Sequence, residues 1–280
     1  MRKKLILILG VTFLVLFVAQ AFIARLSLHG SFASLNRQRA VTNIEQLLTA
    51  MTSEADSLTR LAQDWAQWDE TYAFMANPAA NYLGENQIAA SLEILELRAL
   101  LYLDTNNRLV TGKLYDSETH EISELSDKLL RQLQLDSLIA SLDQSQRYAG
   151  ILLLPQGPAF VAAADILTSE GQGPPRGHIV MIRPFEMGEF AQYVSLRPDR
   201  LSYMPLASDE VSPDLRERLL RLGEADFVLE NEDGQAITGH VLLPDVFGQP
   251  SLLLEVSTPL ASLEAATRAT RFYFWTTLLI

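Results

Sequence analysis

Asp64-Trp65-Ala66-Gln67-Trp68-Asp69-Glu70-Thr71-Tyr72-Ala73-Phe74 holds two of the three tryptophans of a 280-residue chain. Trp65, Trp68, Asp69 and Tyr72 fall at i, i+3, i+4 and i+7, the spacing that places side chains on one face of an α-helix. Upstream, Ile44, Met51, Leu58, Trp65 and Tyr72 recur every seven residues, with Leu48, Ala55, Ala62 and Trp68 in the neighbouring stripe. Neither proline nor glycine interrupts residues 31–77. This pattern predicts one long helix over residues 27–76, ended by Asn77-Pro78. Its aromatic half suits packing onto a sheet, and its N-terminal half suits a partner helix, hence a homodimer. A carboxylate at Asp69 among three aromatics needs a partner, because unpaired burial is costly. A backbone group, an arginine of the sheet or a ligand amine would each serve.

Downstream the periodicity changes from helix to strand. A short helix is expected over residues 88–95. Residues 99–103 and 108–112 form a hairpin around Asp104-Thr105-Asn106-Asn107. Residues 123–142 carry a helical leucine pattern. Residues 148–154 and 160–167 flank the turn Pro155-Gln156-Gly157-Pro158, and residues 178–183 give a further strand after a Gly/Pro-rich loop. A second strand group covers residues 201–206, 226–230, 236–243 and 251–256. Thr258 with Pro259 then reads as the start of an exit helix. The order implies an α+β fold, an antiparallel sheet with helices on one side, packed on the long N-terminal helix.

Both ends are apolar. Residues 5–24 read LILILGVTFLVLFVAQAFIA without a charge, and about 20 such residues cross a hydrocarbon layer of roughly 30 Å. Arg2, Lys3 and Lys4 put the N-terminus in the cytoplasm. A cleaved signal peptide ending near Ala19-Gln20-Ala21 is the alternative, and either reading exports the residues downstream. Arg271-Phe272-Tyr273-Phe274-Trp275-Thr276-Thr277-Leu278-Leu279-Ile280 resembles an interfacial aromatic belt opening a second span. The expected organisation is an anchor over 1–25, an exported domain over 26–266 and a truncated second span over 267–280. The exported domain divides into a core over about 63–185 and a membrane-proximal strand group over about 200–257. The expected setting is a bacterial inner membrane, with the domain in the periplasm.

Composition removes several functions. A net charge of −12 argues against nucleic acid, which requires clustered Lys and Arg. The chain has no cysteine, so disulfides, thiolate metal sites and a cysteine nucleophile are excluded. His29, His120, His178 and His240 are scattered, without the spacing of a zinc site. The Gly171–Gly177 run has the wrong spacing for a dinucleotide loop, and no nucleophile elbow or P-loop is present. No cofactor is expected, and these 280 residues are read as non-enzymatic, an anchored hydrolase being the weakest reading.

The Trp-x-x-Trp-Asp-x-x-Tyr-x-Phe segment resembles the CHASE family, type four, of periplasmic sensor domains. Tyr82 and Asn86, the hairpin from Leu100 to Asp116, the strand led by Gly150, the hairpin Gly157-Pro158-Ala159-Phe160 and the loop Gly173-Pro174-Pro175-Arg176-Gly177 are similar to family features. The chain departs from the family at Asp165-Ile166, where Pro-Ile is common, and at Leu260, where Arg is common. The resemblance implies a PAS-like or Cache-like fold between transmembrane helices. It also implies an input function for a cytoplasmic diguanylate cyclase or phosphodiesterase, or for a histidine kinase, lying beyond Ile280. Candidate ligand contacts are Trp65, Trp68, Asp69, Tyr72, Tyr82, Asn86, Tyr102 and Arg183, with the ligand under the aromatic helix on the sheet. Arg183 is the expected partner of an anionic ligand or of Asp69, the alternative being a surface strand arginine. The signal is an unidentified small molecule or protein. A structural or protein-binding module without a small-molecule pocket is the competing reading.

Overall fold

The computed structural model describes residues 2–260 apart from 79–81, 83, 85–87, 146–148, 195, 223–225 and 232–234. The expected second span, 267–280, lies outside the described residues. So do nearly all side chains of the apolar run 5–24. Among the described residues no helix is long and apolar enough to cross a membrane.

Helix α1 (Arg2–Ala66) stops short of the expected end. After a break at Gln67 and Trp68 the chain resumes as α2 (Asp69–Ala76), so the aromatic motif straddles a kink. Then come α3 (Ala89–Ile94), β1 (Ala99–Leu103), β2 (Leu109–Asp116) and β3 (Glu121–Glu124). Helices α4 (Asp127–Leu133) and α5 (Leu135–Ser145) come next. The leucine pattern over 123–142 is therefore not one helix. Its first residues belong to β3, the Ser126 hydroxyl accepts from Leu129 N to start α4, and Gln134 in left-handed conformation (φ 44) separates α4 from α5.

Strands β4 (Ala149–Leu154), β5 (Gly157–Asp165) and β6 (His178–Pro184) complete a six-stranded sheet in the order β3-β2-β1-β6-β5-β4. Its five strand pairs are antiparallel. Central β1 is buried along its whole length, because both faces are covered and the two-residue alternation sends side chains each way. Leu101, Leu103, Val161, Val180 and Ile182 pack against Leu129, Leu133, Leu138 and Leu142 of α4 and α5. On the opposite face Tyr102 meets Phe74 of α2, and Arg183 reaches Glu54 of α1. Helices thus cover both faces, where one was expected.

A short helix α6 (Met187–Ala191) and a 3-10 turn at Pro198–Arg200 lead to β7 (Leu201–Pro205), α7 (Pro213–Leu220), β8 (Phe227–Glu230), β9 (Ala236–Pro244) and β10 (Pro250–Pro259). These four strands form a second sheet in the order β7-β10-β9-β8. Leu206, Val211, Leu215 and Leu219 pack with Val228 and Leu253. The exit helix does not start at Thr258 and Pro259 as expected: both residues belong to β10, where pairing with the sheet overrides the capping signal, and the residues from 261 on lie outside the described ones. The turn between β9 and β10 meets the edge strand β4 of the larger sheet, where Val246 N donates to Ile151 O at 2.6 Å.

The chain divides into two compact units, Glu45–Val228 with His240–Glu255, and the described parts of Met1–Ile44, Leu229–Gly239 and Val256–Ile280. Within the latter, Asn43 Nδ2 donates to Thr258 Oγ1 at 2.9 Å and Leu260 N to Gln235 O at 2.9 Å.

Gly177 has φ +129, and a Cβ there would lie 1.9 Å from Leu103 O. Gly177→Ala is expected to destabilise the fold by about 2–4 kcal/mol through backbone strain and overlap. Thermal unfolding should show a melting temperature lower by several degrees.

Candidate functional site

The kink between α1 and α2 frees carbonyls that α1 can no longer use. The Thr71 hydroxyl donates to Trp65 O at 2.9 Å, and Leu167 N donates to Ala66 O at 3.2 Å. Having spent its single proton on Trp65 O, Thr71 Oγ1 accepts from the Tyr82 hydroxyl at 2.7 Å. Tyr82 in turn accepts from the Tyr102 hydroxyl at 3.0 Å. Tyr102 is fully buried. Burial pushes both phenols above the usual tyrosine value, so both keep the proton this directed chain requires. Phe74 stacks on Tyr82 with centroids 4.6 Å apart, and Tyr102 stands edge-on to both rings.

The loop between β5 and β6 grips α2 from outside. Asp69 is exposed, contrary to its expected burial among aromatics. Its carboxylate accepts from Ser169 N at 2.9 Å and from the Ser169 hydroxyl at 2.8 Å, at the positive end of α2. The Ser169 backbone, one of the expected partners, holds this carboxylate together with the Ser169 hydroxyl, and among the described residues no arginine pairs with it. Arg176 Nη1 donates to Tyr72 O at 2.7 Å, and its guanidinium lies 3.7 Å from the Tyr72 ring centroid. Tyr72 OH donates to Pro174 O at 3.2 Å. At Gly173 (φ +96) a Cβ would fall 2.9 Å from that hydroxyl, so the loop needs glycine to approach. At its root His178 Nδ1 pairs with Asp165 Oδ1 at 2.9 Å.

The Ser169 bonds hold the Asp69 carboxyl below its ordinary value, and the His178 hydrogen bond does so for Asp165. A lowered folded value means that these contacts stabilise the fold above the unfolded carboxylate value. That contribution is lost as pH falls through the lowered one. The loop should therefore loosen in acid.

Trp65 is buried and stacks on Trp68 with centroids 4.8 Å apart. Asn86 lies outside the described residues. Arg183 stands apart from the kink. Its side chain is 13% exposed and pairs with Glu54, while Nη2 donates to Leu95 O at 2.9 Å. It is therefore neither the partner of Asp69 nor a plain surface arginine. It lines a cleft of about 470 Å³ with Glu93, Glu96, Arg98, Tyr115 and Glu189, at the end of the sheet where β2 and β6 finish. A smaller cleft of about 250 Å³ is lined by Glu54, Glu96 and Glu189. Sequence reasoning misses Glu54, Glu96 and Glu189, whose carboxylates carry no local motif. Thr71 and Arg176 lie inside quoted motifs, where neither is singled out. Among the described residues no group of His, Asp or Glu side chains is placed to hold a metal.

The model of the CHASE4 domain matches residues 50–202. The methanogenesis regulatory histidine kinase FilI of Methanothrix harundinacea (strain 6Ac) is 24% identical over 260 residues, which cover 92% of this chain and 29% of that protein. Among solved structures, the extracellular domain of the putative histidine kinase vpHK1S-Z8 aligns with a TM-score of 0.52 at 12% identity, over 81% of this chain and 96% of that one. The ligand-binding domain of the Campylobacter jejuni chemoreceptor Tlp3 in complex with L-valine gives 0.49 at 12% identity, over 83% and 94%. At such identity the likeness to vpHK1S-Z8 is one of fold.

Thr71→Val keeps shape but removes the hydroxyl between Trp65 O and Tyr82. A loss of about 1–3 kcal/mol is expected, the cost of stranding buried polar groups. Thermal unfolding should rank Thr71→Ser, which keeps the hydroxyl, between Val and the wild type.

Proposed function

The chain belongs to the CHASE4 domain family, and from that premise we propose that this sensor domain is the extracytoplasmic input half of a membrane-anchored receptor that reads a small molecule. The observation that carries the reading is the match of 92% of the chain to a regulatory histidine kinase of which it spans 29%. On that footing the output is a histidine kinase following a second span that begins near residue 267. The apolar run at residues 5–24, after Arg2, Lys3 and Lys4, is assigned as the anchor, with residues 26–266 outside the cytoplasmic membrane.

Glu54 and Trp65 both belong to α1. A ligand that binds two arrangements of this helix unequally would shift its population and so carry the signal. The kink lock supports a positioning role for Trp65, Asp69, Tyr72, Tyr82 and Tyr102. The cleft beside Arg183 has the volume of a small-molecule site, which typically spans about 300–1,000 Å³.

The test is a metabolite screen by thermal shift on the full chain in detergent, with alkaline phosphatase inserted at the 169–171 loop in cells as a topology control. A saturable rise in melting temperature with at least one metabolite, and an active phosphatase, are expected. No shift across the screen would favour a protein or cell-wall signal, and an inactive phosphatase in a stable fusion would contradict export.

A further inference from the structure

The Arg183–Glu54 pair is unusual in its surroundings. The guanidinium donates through Nη1 to Glu54 and through Nη2 to Leu95 O. Its Nε is buried and has no hydrogen-bond partner among the described residues, a costly state for a charged donor. Carboxylates outnumber cations around it. Glu186 and Glu189 share the larger cleft with Arg183, and Glu96 and Glu189 line both clefts. Burial, then repulsion from Glu186, Glu96 and Glu54, hold the Glu189 carboxyl above its ordinary value, with Arg183 offsetting part of this. Glu96 also holds a left-handed backbone, φ 55, which is uncommon for a residue with a Cβ.

A simple anion entering this cleft finds a donor at Arg183 but meets excess negative charge. A simple cation finds the carboxylates but meets the guanidinium. A molecule carrying both charges satisfies both sides. We propose that the cleft takes a small zwitterion, whose carboxylate displaces Glu54 from the Arg183 guanidinium while its ammonium is held by Glu96 and Glu189. The exchange keeps a carboxylate on Nη1 while Nη2 stays with Leu95 O. It also frees Glu54, which is carried by α1, so that occupancy of the cleft alters what holds this helix to the sheet. This inference rests on the small-molecule reading above and names the site and ligand class for it.

The experiment is titration calorimetry on the full chain in detergent. The probes are β-alanine, γ-aminobutyrate and glycine betaine, against propionate and propylammonium as single-charge controls. At least one zwitterion is expected to bind about tenfold or more tightly than either control. Arg183→Gln should weaken it by about tenfold or more. Glu54→Gln, which removes the competing carboxylate but still accepts a hydrogen bond, should bind several-fold tighter than wild type. A merely structural ion pair would leave affinity unchanged or reduced in Glu54→Gln, and that result overturns the exchange. Zwitterions binding no better than the controls overturn the ligand class. Should the metabolite screen yield a ligand whose affinity ignores Arg183→Gln, this inference falls while the sensor reading stands. Should the screen yield nothing, that reading falls first.

Discussion

Where α1 stops at Ala66, the carbonyls of Trp65 and Ala66 take donors from outside the helix, and the larger compact unit is organised by the groups that supply them. An unpartnered buried carbonyl costs about as much as several exposed ion pairs together contribute. The chain meets this demand with Thr71 from α2 and Leu167 from the loop after β5. Those two bonds fix the kink and draw in the buried hydroxyls of Tyr82 and Tyr102, tying α2 to the central strand. Asp69, Tyr72, Ser169 and Arg176 close the outside of the same joint. In this chain the aromatic segment therefore joins helix to loop.

Much of this is legible in the residues and much is not. Strand β1 can be read because Ala99-Leu100-Leu101-Tyr102-Leu103 is continuously apolar and ends in a turn that Asp104 staples by accepting from Asn106 N and Arg108 N. The kink cannot. Nothing in Trp65-Ala66-Gln67-Trp68 forbids a helix, and the break is stabilised by residues about 100 positions downstream, a tertiary effect that overrides local propensity. For the same reason the expected burial of Asp69 fails, since its face is inferred from an unbroken helix. The helix start expected at Thr258 fails in the opposite direction, because a sound capping signal loses to strand pairing in β10.

The candidate site shows the same limit. A contact between Glu54 and Arg183, 129 residues apart, leaves no local trace in composition or period. What the sequence does offer is parity. Val180 and Ile182 face α4 and α5, so Met181 and Arg183 alternate toward the opposite face, where Glu54 waits. A charged residue at a position whose neighbours are buried demands a partner. The kink lock and the Arg183 pair are two attachments of one helix to one sheet. The first has a centre of neutral, buried hydrogen bonds through Thr71, Tyr82 and Tyr102 and suits a fixed hinge. The second is charged, partly open to solvent and bordered by clefts, which suits a joint that exchanges partners.

If the aromatic motif and the loop after β5 are one lock, they open together. Hydrogen exchange by mass spectrometry on Asp69→Ala tests it directly. Peptides covering residues 64–76 and 166–177 are expected to lose protection together while those covering β1 and β6 keep theirs. Loss confined to the immediate surroundings of Asp69, with the loop as protected as in the wild type, would contradict it.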